Sequence, residues 1–140
     1  MTDRLLLRNA RVLTCAAGDD EVPFDGDVLV EGERIAEVSH GRQAVDEGAT
    51  RVVDVAGATV LPGLGDAHTH ISWPLDFVFD HAAVAAAPPA EHALDLAAVV
   101  RTFLESGYTT IVGAGATQPA DDLITHDAIE RGLIPGPRII

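Results

Sequence analysis

The stretch VLPGLGDAHTH (60–70) decides the fold, because it joins an apolar run to two histidines that stand one residue apart. Alternate residues of a β-strand point to the same side, so we expect His68 and His70 on one face, with Asp66 in the same alternation. Two imidazoles on one face can share a cation at about 2.0–2.1 Å. They can equally cap a strand end and bond to backbone, and the spacing alone leaves both interpretations open.

Two patterns of sequence meet near residue 57. Residues 4–55 are typical of short strands, including a hairpin over DVLVEGERIAEV (27–38), and predict an antiparallel sheet or small sandwich. Residues 58–140 alternate strand, helix, strand, helix and strand, with helices at about 91–106 and from Asp121 or Asp122 to Arg131. This order predicts parallel βαβ units.

The predicted fold class is therefore α/β. Residues 1–57 form the N-terminal part of a small β-sandwich domain. Residues 58–140 form the first two βα units and the start of the third strand of a (β/α)₈ TIM barrel. A complete barrel needs about 250 residues, so we expect this chain to be incomplete on its own.

Composition and charge favour a globular chain. The hydrophobic fraction is 47%, and the net charge of −13 comes with nine arginines and no lysine, so we expect neither nucleic acid nor anionic membrane as a partner. No apolar run is long enough for a membrane helix, and the N-terminus does not resemble a signal peptide. The single cysteine, Cys15, fits a cytoplasmic location. Any lysine that a mechanism requires must come from outside these residues.

Four segments together resemble the amidohydrolase superfamily, in its imidazolonepropionase- and prolidase-like branch. The specific one is VLPGLGDAHTHI (60–71), and the others are VLVEGERIAEV, FLESGYTTIVGAGA and AIERGLIPGPRII. The resemblance implies that His68 and His70 bind a divalent metal, most often zinc, as one or two ions. Asp66, placed beside them by the alternation alone, could hold a neighbouring backbone group or orient a histidine. It places the remaining ligands and the general base beyond residue 140, so no catalytic residue is expected in this chain.

The activity implied is hydrolysis of an amide, cyclic amide or related C–N bond of a small molecule by a metal-activated water. The rest of the barrel would come from another chain or a missing segment, in a homo- or hetero-oligomer. Two alternatives stay open. One is a non-catalytic superfamily member or subunit with a structural or binding role. The other is a self-contained binding module that covers the strand edge at 138–140 by dimerisation or strand addition.

Three residues after the histidine pair are weaker candidates for substrate contact. Trp73 and Phe77 could line a hydrophobic pocket over the barrel mouth, although packing of their loop on the rim is the favoured interpretation. His81 lies in the same region, where a lone histidine is usually solvated.

Other residues are expected to be structural. His40, His92 and His126 fall in a turn or on predicted helices, which favours a surface position. Gly113 and Gly115, at the end of the second apolar strand, are expected to leave room for a loop or substrate.

Overall fold

The computed structural model describes residues 3–18, 22–73, 80–118 and 120–140. The chain forms two compact units, which we call the first unit (Met1–Pro62) and the second unit (Gly63–Ile140). Among the described residues, no helix is both long enough and apolar enough to cross a membrane.

The first unit is a five-stranded sheet. Its strands are β1 (Arg4–Val12), β2 (Phe24–Glu31), β3 (Arg34–His40), β4 (Arg51–Asp54) and β5 (Thr59–Val60). Strand β1 pairs antiparallel with β2, and β2 pairs antiparallel with β3, through the hairpin that the sequence predicts. Strands β4 and β5 instead pair with β1 in parallel. The prediction of an antiparallel sheet therefore holds for β1, β2 and β3 and is wrong for β4 and β5, because residues between β3 and β4 return the chain to the free edge of β1.

Alternation along β1 builds the core of this unit. Leu6, Ala10 and Val12 are buried. Asn9 and Arg11, the residues on either side of Ala10, are exposed. The register slips between Leu7 and Ala10, where Asn9 adopts a positive φ of 58°. The slip is a β-bulge, and it lies where a buried carboxylate holds the backbone.

That carboxylate belongs to Asp27, which is 1% exposed. It accepts the backbone N–H of Asn9 at 3.0 Å and that of Gln43 at 2.9 Å, so it ties the bulge to the segment after β3. Arg8 Nε lies 4.0 Å from Asp27 Oδ2, and Arg8 Nη1 donates to Glu47 at 2.7 Å. The hydrogen bond from Arg8 lowers the pKa of Glu47.

The second unit is a three-stranded parallel sheet with helices. Its elements are β6 (Leu64–Thr69), α1 (His81–Ala86), α2 (Pro89–Glu105), β7 (Tyr108–Gly113), α3 (Asp121–Glu130) and β8 (Arg138–Ile139). The strand order is β6-β7-β8, as parallel βαβ units require. The buried core residues of this unit are Ile71, Leu96, Val99, Val100, Ile111 and Ile139.

Three elements differ from the sequence predictions. The strand predicted from residue 58 towards the histidines is divided, because Thr59–Val60 pairs with β1 and the histidine-bearing strand begins only at Leu64. Helix α1 was not predicted. It forms because Asp80 Oδ1 accepts the N–H groups of Ala82 and Ala83, which caps an alanine-rich segment.

The start of α3 also differs. Neither Asp121 nor Asp122 is its N-cap, because Ala120 takes that position with a φ of 69°. The Asp121 side chain is turned inward instead, to contacts described below.

Candidate metal centre

The histidine pair lies at the carboxyl end of β6. His68 is exposed near the end of the strand, and His70 follows the strand and is half-buried. Their ring centroids are 5.1 Å apart and their planes are inclined by 79°. The two imidazoles are thus neighbours, and a carboxyl strand end is where parallel α/β folds place ligands.

Strand β6 is irregular at this point. Asp66 pairs with Ile111 and Thr69 with Gly113, so three steps on β6 face two steps on β7. This is the count of a β-bulge, so simple alternation does not define the faces of these residues. Within the bulge, the His68 N–H donates to Asp66 Oδ1 at 3.0 Å. The contact found for Asp66 is therefore with the backbone of His68.

The ring of His70 is held by a backbone carbonyl. Its Nδ1 lies 3.0 Å from the oxygen of Gly115. A carbonyl oxygen only accepts hydrogen bonds, so Nδ1 must carry the proton in this contact. The lone pair of a neutral imidazole then lies on Nε2, the atom left for a cation. This carbonyl was not foreseen from the sequence, since a backbone group has no residue-type signal.

The two imidazoles can be compared with the ligands that divalent metals prefer in proteins. Two neighbouring imidazoles, one with Nδ1 engaged by a carbonyl, suit zinc and other divalent transition metals. Across the described ranges, no group of three or more His, Cys, Asp or Glu side chains gathers in a way that could hold a metal ion. A zinc site normally has at least three protein ligands, a number that these two imidazoles alone do not reach.

Asp122 is an acidic residue near His70. The sequence predicts it only as a possible start of a helix. Its carboxylate packs against Gly113, where a Cβ would overlap Asp122 Oδ2. Its Oδ1 is buried and has no hydrogen-bond partner within the described part of the chain. Burial, and then the charge of Asp121, raise the pKa of Asp122, while His70 lowers it. The space expected at Gly113 for a loop or a substrate is therefore occupied by the Asp122 carboxylate.

Comparison with known proteins identifies the family. Residues 59–140, more than half of the chain, match the Amidohydrolase family. This chain belongs to the amidohydrolase family. The resemblance predicted from the segments around the histidine pair is thereby confirmed, and members of this family generally use divalent metal ions.

Two curated relatives of this amidohydrolase chain cover different parts of it. An imidazolonepropionase of Anaeromyxobacter sp. (strain K) is 41% identical over 75 residues, which are 50% of this chain and 18% of the relative. A dihydroorotase of Syntrophotalea carbinolica is 32% identical over 135 residues, 92% of this chain and 27% of the relative. The chain thus spans about a quarter or less of the length of these two relatives.

Solved structures share the fold over nearly the whole chain. A prolidase complexed with N-methylphosphonate-L-proline matches with a TM-score of 0.79 and 29% identity, covering 97% of this chain and 31% of the prolidase chain. A Xaa-Pro dipeptidase with bound methionine matches with the same TM-score at 21% identity, covering 99% and 32%, which shows the fold alone. The mixed α/β architecture of this amidohydrolase chain is that of these neighbours.

Trp73 is the described residue next to the pair that the sequence predicts as a candidate for substrate contact. The Trp73 ring stacks on His70 with centroids 4.0 Å apart and planes inclined by 16°. A cavity that Trp73 helps to line measures about 40 Å³, far below the roughly 300 Å³ of a small-molecule pocket. Phe77 lies outside the described residues, as does the side chain of His81, the first residue of α1.

One predicted surface histidine is buried. His92 is 5% exposed, and its Nε2 lies 3.1 Å from Asp121 Oδ2. The prediction was wrong because residues 92, 96 and 100 follow the four-residue spacing of one helix face, and Leu96 and Val100 are core residues. His40 is exposed and His126 is partly exposed, beside Asp127.

Proposed function

We propose that this chain supplies the opening part of the active site of a metal-dependent amidohydrolase. In this proposal His68 and His70 are the first two ligands of a divalent metal, most often zinc, in a site of one or two ions. The observation that carries it is the contact between His70 Nδ1 and the Gly115 carbonyl, which puts the lone pair of that neutral ring on Nε2, together with the neighbouring His68 ring. The relatives' family supports the metal.

The reaction that we propose is hydrolysis of an amide, cyclic amide or related C–N bond of a small molecule. The imidazolonepropionase, dihydroorotase and prolidase relatives support the class of bond and nothing narrower. When bound, the cation supplies a more acidic water and a Lewis acid for the scissile carbonyl. We expect the general base and the other ligands on residues outside this chain.

The described residues prepare this site in three ways. Asp66 fixes the backbone of the bulge that bears His68. The Gly115 carbonyl holds the proton on His70 Nδ1. Trp73 stacks on one face of the His70 ring, and this packing needs no contact with a substrate. Roles for Phe77 and His81 in substrate contact remain predictions.

The architecture that we propose follows from the same family. Residues 1–57 would belong to a small β-sandwich domain, and residues 58–140 would open a TIM barrel that further residues or another subunit complete. Among the described residues of the second unit, neither β6 nor β8 pairs with a further strand at its outer edge, which supports completion by other strands. We also propose a reducing location such as the cytoplasm, since Cys15 is a free, exposed cysteine.

Metal content is the direct test. The protein should be purified in its complete assembly, and bound metal measured by mass spectrometry after dialysis. We expect bound divalent metal in the wild type, its loss in His68→Ala and His70→Ala, and its retention in the control His126→Ala, whose side chain is 41% exposed. No metal above background with both histidines intact contradicts the metalloenzyme and favours the non-catalytic alternative. Metal-dependent hydrolysis of simple amides and cyclic amides then tests the reaction.

A further inference from the structure

A pair of hydroxyl groups joins the loop after β6 to the loop after β7. The Thr117 N–H donates to Ser72 Oγ at 2.8 Å, and Ser72 Oγ donates in turn to Thr117 Oγ1 at 3.1 Å. Ser72 is 4% exposed and Thr117 is half-buried, so water competes little for these bonds. We call this pair the loop clamp.

The loop clamp lies next to the contact that sets the protonation of His70. Ser72 is two residues after His70, and Thr117 is two residues after Gly115, whose carbonyl accepts from His70 Nδ1. We propose that Ser72 and Thr117 are positioning residues, which hold the Gly115 carbonyl in place and thereby keep the metal-binding tautomer of His70. This inference rests on the proposed function for its metal part alone.

The loop is built from small residues. Residues 113–116 read Gly-Ala-Gly-Ala, and Gly115 has a φ of 131°, a conformation that side chains rarely adopt. No large side chain in this stretch can anchor the carbonyl by packing. Its position therefore depends on hydrogen bonds at the ends of the loop.

Those hydrogen bonds are present on both sides. On the strand side, the Ala114 N–H donates to the Thr69 carbonyl at 2.8 Å. On the helix side, the Gln118 N–H donates to Asp121 Oδ2 at 3.0 Å, and the same oxygen lies 3.1 Å from His92 Nε2. The loop clamp lies between these two ends and connects the loop directly to the segment that carries His70.

Loss of the clamp has a defined chemical consequence. If the Gly115 carbonyl moves away, the neutral ring of His70 exchanges between its two tautomers, and part of the population carries the proton on Nε2. That population cannot bind a cation through Nε2 until the proton is moved. Changes in the groups that orient a metal-binding histidine typically cost about 10–100-fold in metal affinity.

Three variants of the complete protein distinguish an effect on the position of the Gly115 carbonyl from a general loss of stability. Ser72→Ala removes both bonds of the clamp. Thr117→Val keeps the shape and the backbone N–H donor and removes only the Oγ1 acceptor. The control Thr102→Val removes an exposed hydroxyl that bonds to the Ala98 carbonyl of its own helix. Ring nitrogen NMR of histidine-labelled, metal-free protein reports the tautomer of His70, and competition with a chromophoric chelator reports zinc affinity.

We expect Ser72→Ala to lose the pure Nδ1–H signal of His70 and to bind zinc about 10–100-fold more weakly. Thr117→Val should show the same changes to a smaller degree, and Thr102→Val should show neither. Retention of the pure Nδ1–H tautomer in folded Ser72→Ala overturns the inference, and if Ser72→Ala does not fold, the same result in Thr117→Val overturns it. A tautomer change in a protein whose wild type binds no zinc supports the clamp and contradicts the proposed function.

Discussion

His92 on α2 and Asp121 on α3 form a buried pair, with Nε2 and Oδ2 3.1 Å apart and side chains only 6% and 5% exposed. The two atoms are in contact, but His92 Nε2 has no hydrogen bond of acceptable geometry within the described residues. Asp121 Oδ2 also accepts the Gln118 N–H, so the pair fixes the start of α3 as well as the two helices.

Removing His92 should therefore be costly. We expect His92→Ala to lower the free energy of unfolding by about 3 kcal/mol, because it removes the ring packed against a buried carboxylate and opens a cavity. Equilibrium urea unfolding measures this. The matched control is His126→Ala, since His126 and Asp127 lie at 3.2 Å with side chains 41% and 75% exposed. That exposed pair should contribute less than about 1 kcal/mol, and equal losses in the two variants contradict the assignment.

Asp27 gives a second test, within the first unit. Asp27→Asn replaces one carboxylate oxygen by an amide donor, which must face one of the two N–H groups that the carboxylate accepts. We expect a loss of about 1–3 kcal/mol in the free energy of unfolding, measured by urea titration. Asp25→Asn is the control, because Asp25 is exposed two residues earlier in the same strand. A neutral Asp27→Asn shows that the buried carboxylate does not organise the bulge.

Gly136 tests the packing beneath β8. A Cβ at this position would overlap the Ile129 side chain and lie 3.3 Å from Val100 Cβ, inside the core. We expect Gly136→Ala to lower the melting temperature, with a cost of about 1–3 kcal/mol for overpacking. Gly65→Ala is the comparison, since the nearest atom to its Cβ is the Thr110 carbonyl oxygen at 3.9 Å. That variant should be neutral or slightly stabilising, and the reverse order of the two variants refutes this description of the core.

Asp122 predicts a pH dependence of stability. Burial and Asp121 raise its pKa in the folded chain, so the folded state binds the proton more readily than the unfolded state does. The ionised form therefore costs stability above the folded pKa, and the cost disappears as the pH falls below the unfolded value of about 3.9. Asp122→Asn should have a higher free energy of unfolding than the wild type at neutral pH. At about pH 3.5 the two free energies of unfolding should be equal.

Urea unfolding at several pH values provides the measurement for Asp122. Asp127→Asn makes the same substitution at a side chain of the same helix that is 75% exposed, and we expect no comparable reversal there. A difference between Asp122→Asn and wild type that stays constant from neutral to acid pH contradicts the role of burial.

Patterns within a few residues of sequence predicted most of the strands and helices. They did not predict which distant segments pair with each other. The hairpin at Gly32, the helix α2 and the histidine pair all have signals within a few residues of sequence. The parallel partners of β1, the bulge in β6 and the Gly115 carbonyl are set by contacts between segments far apart in the chain. His92 differs, because its four-residue spacing to Leu96 is a local signal of the buried face, while its polar side chain favours the surface position that was predicted.

The pairing of β1 has a consequence for the order in which the first unit folds. Strands β2 and β3 can pair with β1 as soon as the hairpin forms. On the other edge of β1, Leu5 pairs with Arg51 and Val12 pairs with Val60, so that edge is completed only when these later residues arrive. Contacts of such long range form slowly, since a large loop must close before they are made. A nascent chain therefore keeps one edge of its first strand open until residue 60 has left the ribosome. During that interval the edge is available to any other extended chain, a hazard that a chaperone would be expected to cover.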